Sequence, residues 1–280
     1  MDVADVEACY RELGFTGSPF SITPDTDFFY PGGQHKAALA HMRYGMTAGG
    51  FALLTGEVGL GKTLLCRYLL RSPPARVRTA YVFNPAQSYE DLLSSIHHDL
   101  QGEWLAGMTP GQMQRAIYDG LIAMAEGGER AAVVIDEAHR LAPELLESLR
   151  LLSNLDTEKQ KLLSLLLVGQ PELDRTLALR AMRPLAQRIG VRYHLAPFSR
   201  PETARYLRHR ILTARERDFD FEVSAPAAAV IHRESQGVPR RINQIADRAV
   251  LAAYAQRVAA VTRRHAKRAA REVRRGGGAL

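Results

Sequence analysis

The stretch Phe51-Ala-Leu-Leu-Thr55 runs directly into Gly56-Glu57-Val58-Gly59-Leu60-Gly61-Lys62-Thr63 and on into Leu64-Leu-Cys-Arg-Tyr-Leu-Leu70. The first part is a short apolar run that reads as a buried strand, and the last has the composition of a helix. Between them stands the pattern GxxxxGK[ST], in the strand-to-helix context that a phosphate-cradling loop requires. Gly56 and Gly61 lack a Cβ, so successive backbone N–H groups and the helix N-terminus can converge on phosphate oxygens. Lys62 is then placed to reach the outer phosphates of a nucleoside triphosphate, and the Thr63 hydroxyl to ligate Mg2+. A glycine turn with an incidental lysine is the alternative, and it leaves both flanks unexplained.

About 75 residues further on, Val133-Val-Ile-Asp136-Glu137 is an apolar run that ends in two carboxylates. Their separate tasks follow from position: Asp136, at the strand end, can hold Mg2+ through its waters, while Glu137 can polarise a water that attacks the last phosphate. Capping of a following helix is the plainer use of such a pair. Asp136-Glu-Ala-His139 also spells the DEAH of some helicases, but four letters do not make a helicase.

Three more apolar runs, Thr79–Phe83, Leu162–Gly169 and Val191–Leu195, bring the predicted strands to five, with Ala131–Asp136 as the third in order. Near-continuous apolar runs of this length fit strands buried on both faces. Helical spacing between them, as in Leu141, Leu145, Leu149, Leu152 and Leu155, predicts a layered α/β domain with a parallel sheet. After Ala196-Pro197 the pattern changes to helices only: Glu202–Ala214, one opened by Ser224 and Pro226, one opened by Pro239, and a last one from Thr262. The expected organisation is an α/β domain over residues 1–197, including an N-terminal linker over 1–50, and a helical domain over 198–280.

Composition narrows the classes. The chain of 280 residues has 46% apolar and 24% charged side chains, which is globular and long enough for one large or two modest cores. Two cysteines, Cys9 and Cys66, lie far apart, so neither a disulfide framework nor a cysteine zinc site is expected. The N-terminus is acidic and no apolar run is long enough to span a bilayer, which points to the cytoplasm. Of the net charge of +7, residues 262–280 carry +6, from Arg263, Arg264, Lys267, Arg268, Arg271, Arg274 and Arg275 against Glu272. The remainder is nearly neutral.

With both phosphate-site motifs in place, the sequence resembles the AAA+ superfamily of P-loop ATPases, and within it the ExeA-type (general secretion pathway protein A) ATPases. The resemblance spans nearly the whole chain. Pro19-Phe20-Ser-Ile-Thr-Pro24 and Phe28-Phe-Tyr30, the Thr55–Thr63 loop, Leu152-Ser-Asn-Leu155, Val168-Gly-Gln-Pro-Glu-Leu173, Gln187-Arg-Ile189 and Ser235-Gln-Gly-Val-Pro-Arg-Arg-Ile-Asn243 follow in the family's order. It implies ATP and Mg2+, with Gly56 to Leu64 around the nucleotide. It also implies a sensor arginine at Arg240 of a lid domain and an arginine finger acting in trans at Arg188, with Arg183 and Arg192 as rivals. Gln170, at the end of the fourth strand, is the candidate for orienting the attacking water. Asn84, ending the second strand, is a candidate switch that bonds Glu137, although an Asn84-Pro85 turn explains it as well. A finger in trans implies a homo-oligomer.

By the same resemblance the partner belongs to an envelope secretion, pilus or exopolysaccharide system, with the protein cytoplasmic or peripheral to the inner membrane. Larger relatives continue into a transmembrane helix and a peptidoglycan-binding domain. This sequence ends at Gly276-Gly-Gly-Ala-Leu280, so direct cell-wall contact is not expected.

Other features have plainer readings. His97-His98 is expected on a solvated helix, Trp104 and Met108 as packing residues, and Cys66 as a small buried side chain. The basic residues 263–275 form a positive stripe at helical spacing, suited to nucleic acid, to an anionic membrane or to solvent alone. An ATP-dependent DNA-binding regulator similar to transposition-helper or origin-recognition ATPases is the alternative function. A scaffold that binds ATP without hydrolysing it, and a small-molecule kinase, complete the set.

Overall fold

The computed structural model describes residues 3–83, 85, 88–157, 161–216 and 220–276. All five predicted strands are present: β1 (Gly50–Gly56), β2 (Val77–Val82), β3 (Arg130–Ile135), β4 (Leu163–Gly169) and β5 (Ile189–Leu195). They form one parallel sheet in the order β2-β3-β4-β1-β5. The chain divides into two compact units: Gly33–Val58 with Lys62–Leu195, and Met1–Gly32 with Gly59–Gly61 and Ala196–Leu280.

In the sheet unit the two faces of each central strand are both apolar, as the near-continuous runs require. Phe51, Leu53, Val133, Ile135, Leu165 and Leu167 pack on one side with the helices Tyr89–Gln101, Pro110–Glu126 and Pro143–Leu152. Ala52, Leu54, Leu166 and Val168 turn to the other side, towards Met42 of helix Gly33–Ala48. β5 alternates exposed positions with buried or half-buried ones along its length, the pattern of an edge strand with one partner.

Register decides where the loops emerge. Thr55 pairs with Gly169, and Ile135 with Leu167, so the carboxyl ends of β1, β4 and β3 lie side by side at one level. In an open parallel sheet this is the edge where ligands bind.

The second unit packs the helices Arg200–Ala214, Ala225–Ser235, Pro239–Ala255 and Arg263–Gly276 around a core that includes Ile211, Ile231, Ile245, Val250 and Ala269. Ser199 and Glu202 form a reciprocal capping box at the start of its first helix. The expectation that residues 1–50 belong with the α/β domain differs from the observed grouping, in which Met1–Gly32 joins these helices. The cause is polar stitching. Buried Arg210 donates to the carbonyls of Pro19 (2.6 Å) and Ser21 (3.0 Å), and Asn243 donates to Ser21 at 3.2 Å. Tyr10 and Ser18 both donate to Asp247 Oδ1 at 2.6 Å.

A short parallel pair, Glu222–Val223 with Ala260–Val261, corrects the reading that nothing strand-like follows residue 197; two residues are too short to leave a pattern. His97 is also corrected: it is buried, with Nδ1 2.8 Å from the Glu103 carbonyl oxygen. Its neighbour His98 stacks on Trp104 at 4.1 Å, although the indole is 62% exposed.

Candidate functional site

The phosphate-loop lysine opens helix Lys62–Arg71 and is buried. Its Nζ donates to the carbonyl oxygens of Gly56 (2.7 Å) and Glu57 (3.0 Å), which fixes the ammonium over the start of the loop. An ammonium has three donors, so one remains for an anion. Burial pushes the Lys62 ammonium below the usual lysine range, while the carboxylates of Glu137, Asp136 and Glu57 act in the opposite direction. Those pulls place both acidic residues of the β3 end in the electrostatic surroundings of Lys62.

Asp136 is almost wholly enclosed at 1% exposure. Its Oδ2 accepts from the Tyr81 hydroxyl at 3.2 Å and its Oδ1 from the Glu137 amide at 2.9 Å. Burial, with the Asp136 charge beside it, pushes the Tyr81 phenol up, so Tyr81 stays a donor at ordinary pH. Cys66 lies in the same surroundings, fully buried, with its thiol pushed well up by burial and by Asp136. It is held as a neutral thiol, as a small core side chain would be.

Glu137 adopts left-handed backbone angles, φ 53° and ψ 30°, and precedes the short turn Ala138–Arg140. A glutamate pays for this conformation with backbone strain of about 1 kcal/mol, and such residues cluster at functional sites. His139 closes the arrangement. The Gln170 amide donates to His139 Nδ1 at 3.4 Å, which leaves the ring proton on Nε2, and Nε2 lies 3.6 Å from Glu137 Oε2. A Cβ on Gly169 would stand 3.1 Å from the His139 amide nitrogen, so glycine lets the end of β4 approach this turn.

The loop apex is described with the other unit. Gly59 has φ 82°, its carbonyl oxygen accepts from the Arg240 amide at 3.1 Å, and a Cβ there would stand 2.8 Å from Arg240 Cβ. Leu60 is buried and Gly61 has φ 91°, while Val58 is 52% exposed and Glu57 is exposed. Thr63 and Leu64 are half-buried at the helix start.

The predicted residues therefore separate into groups. Lys62, Asp136 and Glu137 share one electrostatic environment, and Gln170 joins it through His139. Arg188 does not join them: it is exposed and donates to the Ser153 hydroxyl at 2.9 Å and the Arg150 carbonyl oxygen at 3.4 Å. Of its rivals, Arg192 donates to the Ala186 carbonyl oxygen at 3.2 Å, and Arg183 is exposed. Asn84 lies outside the described residues. Tyr81 and His139 were missed as site residues. Tyr81 sits on β2, which borders β3, and His139 follows the acidic pair by two positions, but only the register and the tight turn give either a partner.

Among the described residues no three acidic, histidine or cysteine side chains cluster as a metal cage. The oxygen donors that the sequence predicts for a metal are the Thr63 hydroxyl and the Asp136 carboxylate, of which Asp136 lies beside Tyr81 and Glu137. Such a sparse set suits Mg2+, which keeps several waters and completes its shell with phosphate oxygens.

A model of the AAA domain family matches residues 46–177. General secretion pathway protein A of Aeromonas hydrophila is 42% identical over 245 residues, which cover 87% of this chain and 44% of that protein. The chain thus spans less than half the length of that curated relative. Among solved structures, the Aeropyrum pernix ORC2 protein in its ADPNP–ADP complexes aligns with a TM-score of 0.67 at 20% identity, over 91% of this chain and 71% of that one. Cdc6p of Pyrobaculum aerophilum aligns with a TM-score of 0.69 at 18% identity, over 91% of this chain and 70% of that one. Among the described residues no helix is long and apolar enough to cross a membrane. A parallel sheet with a phosphate loop after β1 and an acidic pair after β3, together with the AAA match over residues 46–177, gives the chain an AAA+ P-loop domain, similar in sequence to general secretion pathway protein A.

Proposed function

We propose that the protein binds ATP with Mg2+ at the carboxyl edge of the sheet and hydrolyses it to ADP and phosphate. The observation that carries this reading is the register that sets the carboxyl ends of β1, β4 and β3 side by side, so that the loop of Lys62 and the pair Asp136-Glu137 emerge at one edge from about 75 residues apart. The loop amides and the third Lys62 donor bind the triphosphate oxygens, and Thr63 and Asp136 orient the metal. Mg2+, when bound, neutralises charge on the phosphates. Glu137 accepts the proton of the attacking water, and the left-handed backbone fixes the direction of its carboxylate. His139 Nε2 lies 3.6 Å from that carboxylate, close enough to donate to it after a small shift, so His139 is assigned as a positioning residue. Gln170 orients the water from the end of β4.

Arg188 serves a neighbouring subunit in a homo-oligomer, with the Ser153 and Arg150 contacts setting its direction. Arg240, whose amide donates to the Gly59 carbonyl oxygen of the phosphate loop, responds to nucleotide state. The name of the Aeromonas relative supports a role in remodelling or assembling a secretion partner.

Calorimetry with Mg·ATP and a phosphate-release assay test the reading together. Lys62→Ala is expected to abolish the binding heat. Glu137→Gln is expected to retain it and lose hydrolysis. Binding by the Lys62→Ala protein at wild-type affinity would overturn the site. Wild-type turnover by Glu137→Gln would overturn the mechanism.

A further inference from the structure

Helix Arg263–Gly276 is divided into two faces. Ala266, Ala269 and Ala270 are buried in the core of the helical unit, and Val273 packs against it. His265 is buried beside them, accepting from the Thr262 amide at 3.2 Å with Nε2 3.1 Å from Gln256 Oε1. The helix is therefore locked in rotation. At 3.6 residues per turn, its seven basic side chains fall in a separate arc of about 140° and run for about 18 Å along the axis. All seven are exposed.

Two of the seven are engaged. Arg268 Nε lies 3.0 Å from Glu272, and Arg274 lies 3.3 Å from Glu234. Among the described residues no carboxylate stands within ion-pair distance of Arg263, Arg264, Lys267, Arg271 or Arg275. Arg263, Arg264, Lys267, Arg268 and Arg271, with Gln256, line a recess of about 580 Å³.

We propose that this face binds double-stranded DNA through its phosphates. Six of the seven cations are arginines, whose planar forks suit phosphate oxygens better than lysine does. A helix that lies on a membrane needs an apolar face to insert, and here that face is consumed by the core. No Phe, Tyr or Trp occurs between Arg263 and Gly276 and the His265 ring is buried, so the stacking platform that holds a single strand is missing from the helix. A rigid cationic face of this length, most of it without a carboxylate partner among the described residues, is left to match the regular anionic edge of a duplex. Nucleotide binding at the sheet edge is not required for this contact.

Anisotropy of a short labelled DNA duplex, titrated with the full chain across a range of salt, tests the assignment. Five free cations predict a slope of log affinity against log salt near −4.5, at about 0.9 per phosphate contact. The triple variant Arg263→Gln, Lys267→Gln, Arg271→Gln should reduce the slope to about −1.8 and weaken binding more than tenfold at low salt. An equal charge change on the other unit, Arg78→Gln with Arg115→Gln and Arg175→Gln, should leave the slope unchanged. Circular dichroism melting checks that each variant folds. The assignment is overturned if the duplex fails to bind at low salt, if the slope survives the helix variant, or if vesicles rich in phosphatidylserine bind more tightly than the duplex in the same buffer.

Discussion

At the carboxyl edge of the sheet, Lys62, Asp136 and Glu137 arrive from positions about 75 residues apart, and burial and mutual attraction set their properties. On helix Arg263–Gly276 the charges are close neighbours in sequence, all exposed, and most lack an opposite partner among the described residues. The first set exists only when the chain is folded, and its interactions are little screened by salt. The second is a property of local sequence that folding merely makes rigid, and ions in the medium control it. Charge in this molecule thus comes in two forms, one directed inward and specific, the other directed outward and general.

The contrast can be broken most severely at Glu137. Glu137→Gln should lower hydrolysis by about 10²- to 10⁴-fold, the usual yield of a positioned general base, with no added dependence on salt. In the helical unit the largest effect should come from backbone geometry rather than charge. Gly237 has φ 75°, and a Cβ there would lie 2.1 Å from the Phe198 carbonyl oxygen. Gly237→Ala should therefore destabilise that unit by about 2–4 kcal/mol, read as a lower denaturation midpoint.

Smaller effects sharpen the comparison. His139→Ala should cut turnover about tenfold, or about 1.4 kcal/mol of barrier, with KM unchanged. His139→Gln, which keeps a donor, should restore most of it; a merely structural histidine would lower stability without that rescue. Tyr81→Phe leaves the buried Oδ2 of Asp136 short of a donor and should cost about 1 kcal/mol in denaturant unfolding.

The smallest effect belongs to Glu234, whose carboxyl is held below the usual range chiefly by its hydrogen bond from Arg233, with Arg274 adding to it against partial burial. A depressed carboxyl stabilises the fold above its unfolded pKa and loses that contribution as pH falls through the folded value. Glu234→Gln should thus lower stability by about 0.5 kcal/mol at neutral pH, and the difference from wild type should shrink as the pH falls below the ordinary glutamate range.

The sheet was legible because each strand is an uninterrupted apolar run, and burial on both faces demands that pattern. The phosphate loop and acidic pair were legible because their spacing is local. What escaped depends on contacts between distant segments. Arg210 reads as one more cation on a helix until the carbonyls of Pro19 and Ser21 are seen to take its protons, and this draws residues 1–32 towards the C-terminal helices. Tyr81 is an ordinary strand tyrosine until the β2–β3 register brings it to Asp136. Arg188 escaped for a different reason: its partners are the Ser153 hydroxyl and the Arg150 carbonyl oxygen, and it joins none of the groups around Lys62.

The left-handed backbone at Glu137 sets stability against chemistry at a single position. A glycine there would relax the turn and, on the proposed mechanism, remove the group that accepts the proton of the attacking water. Laboratory evolution for thermal endurance alone would drift towards that inert form, whereas selection for turnover would keep the awkward residue and tolerate the softer fold.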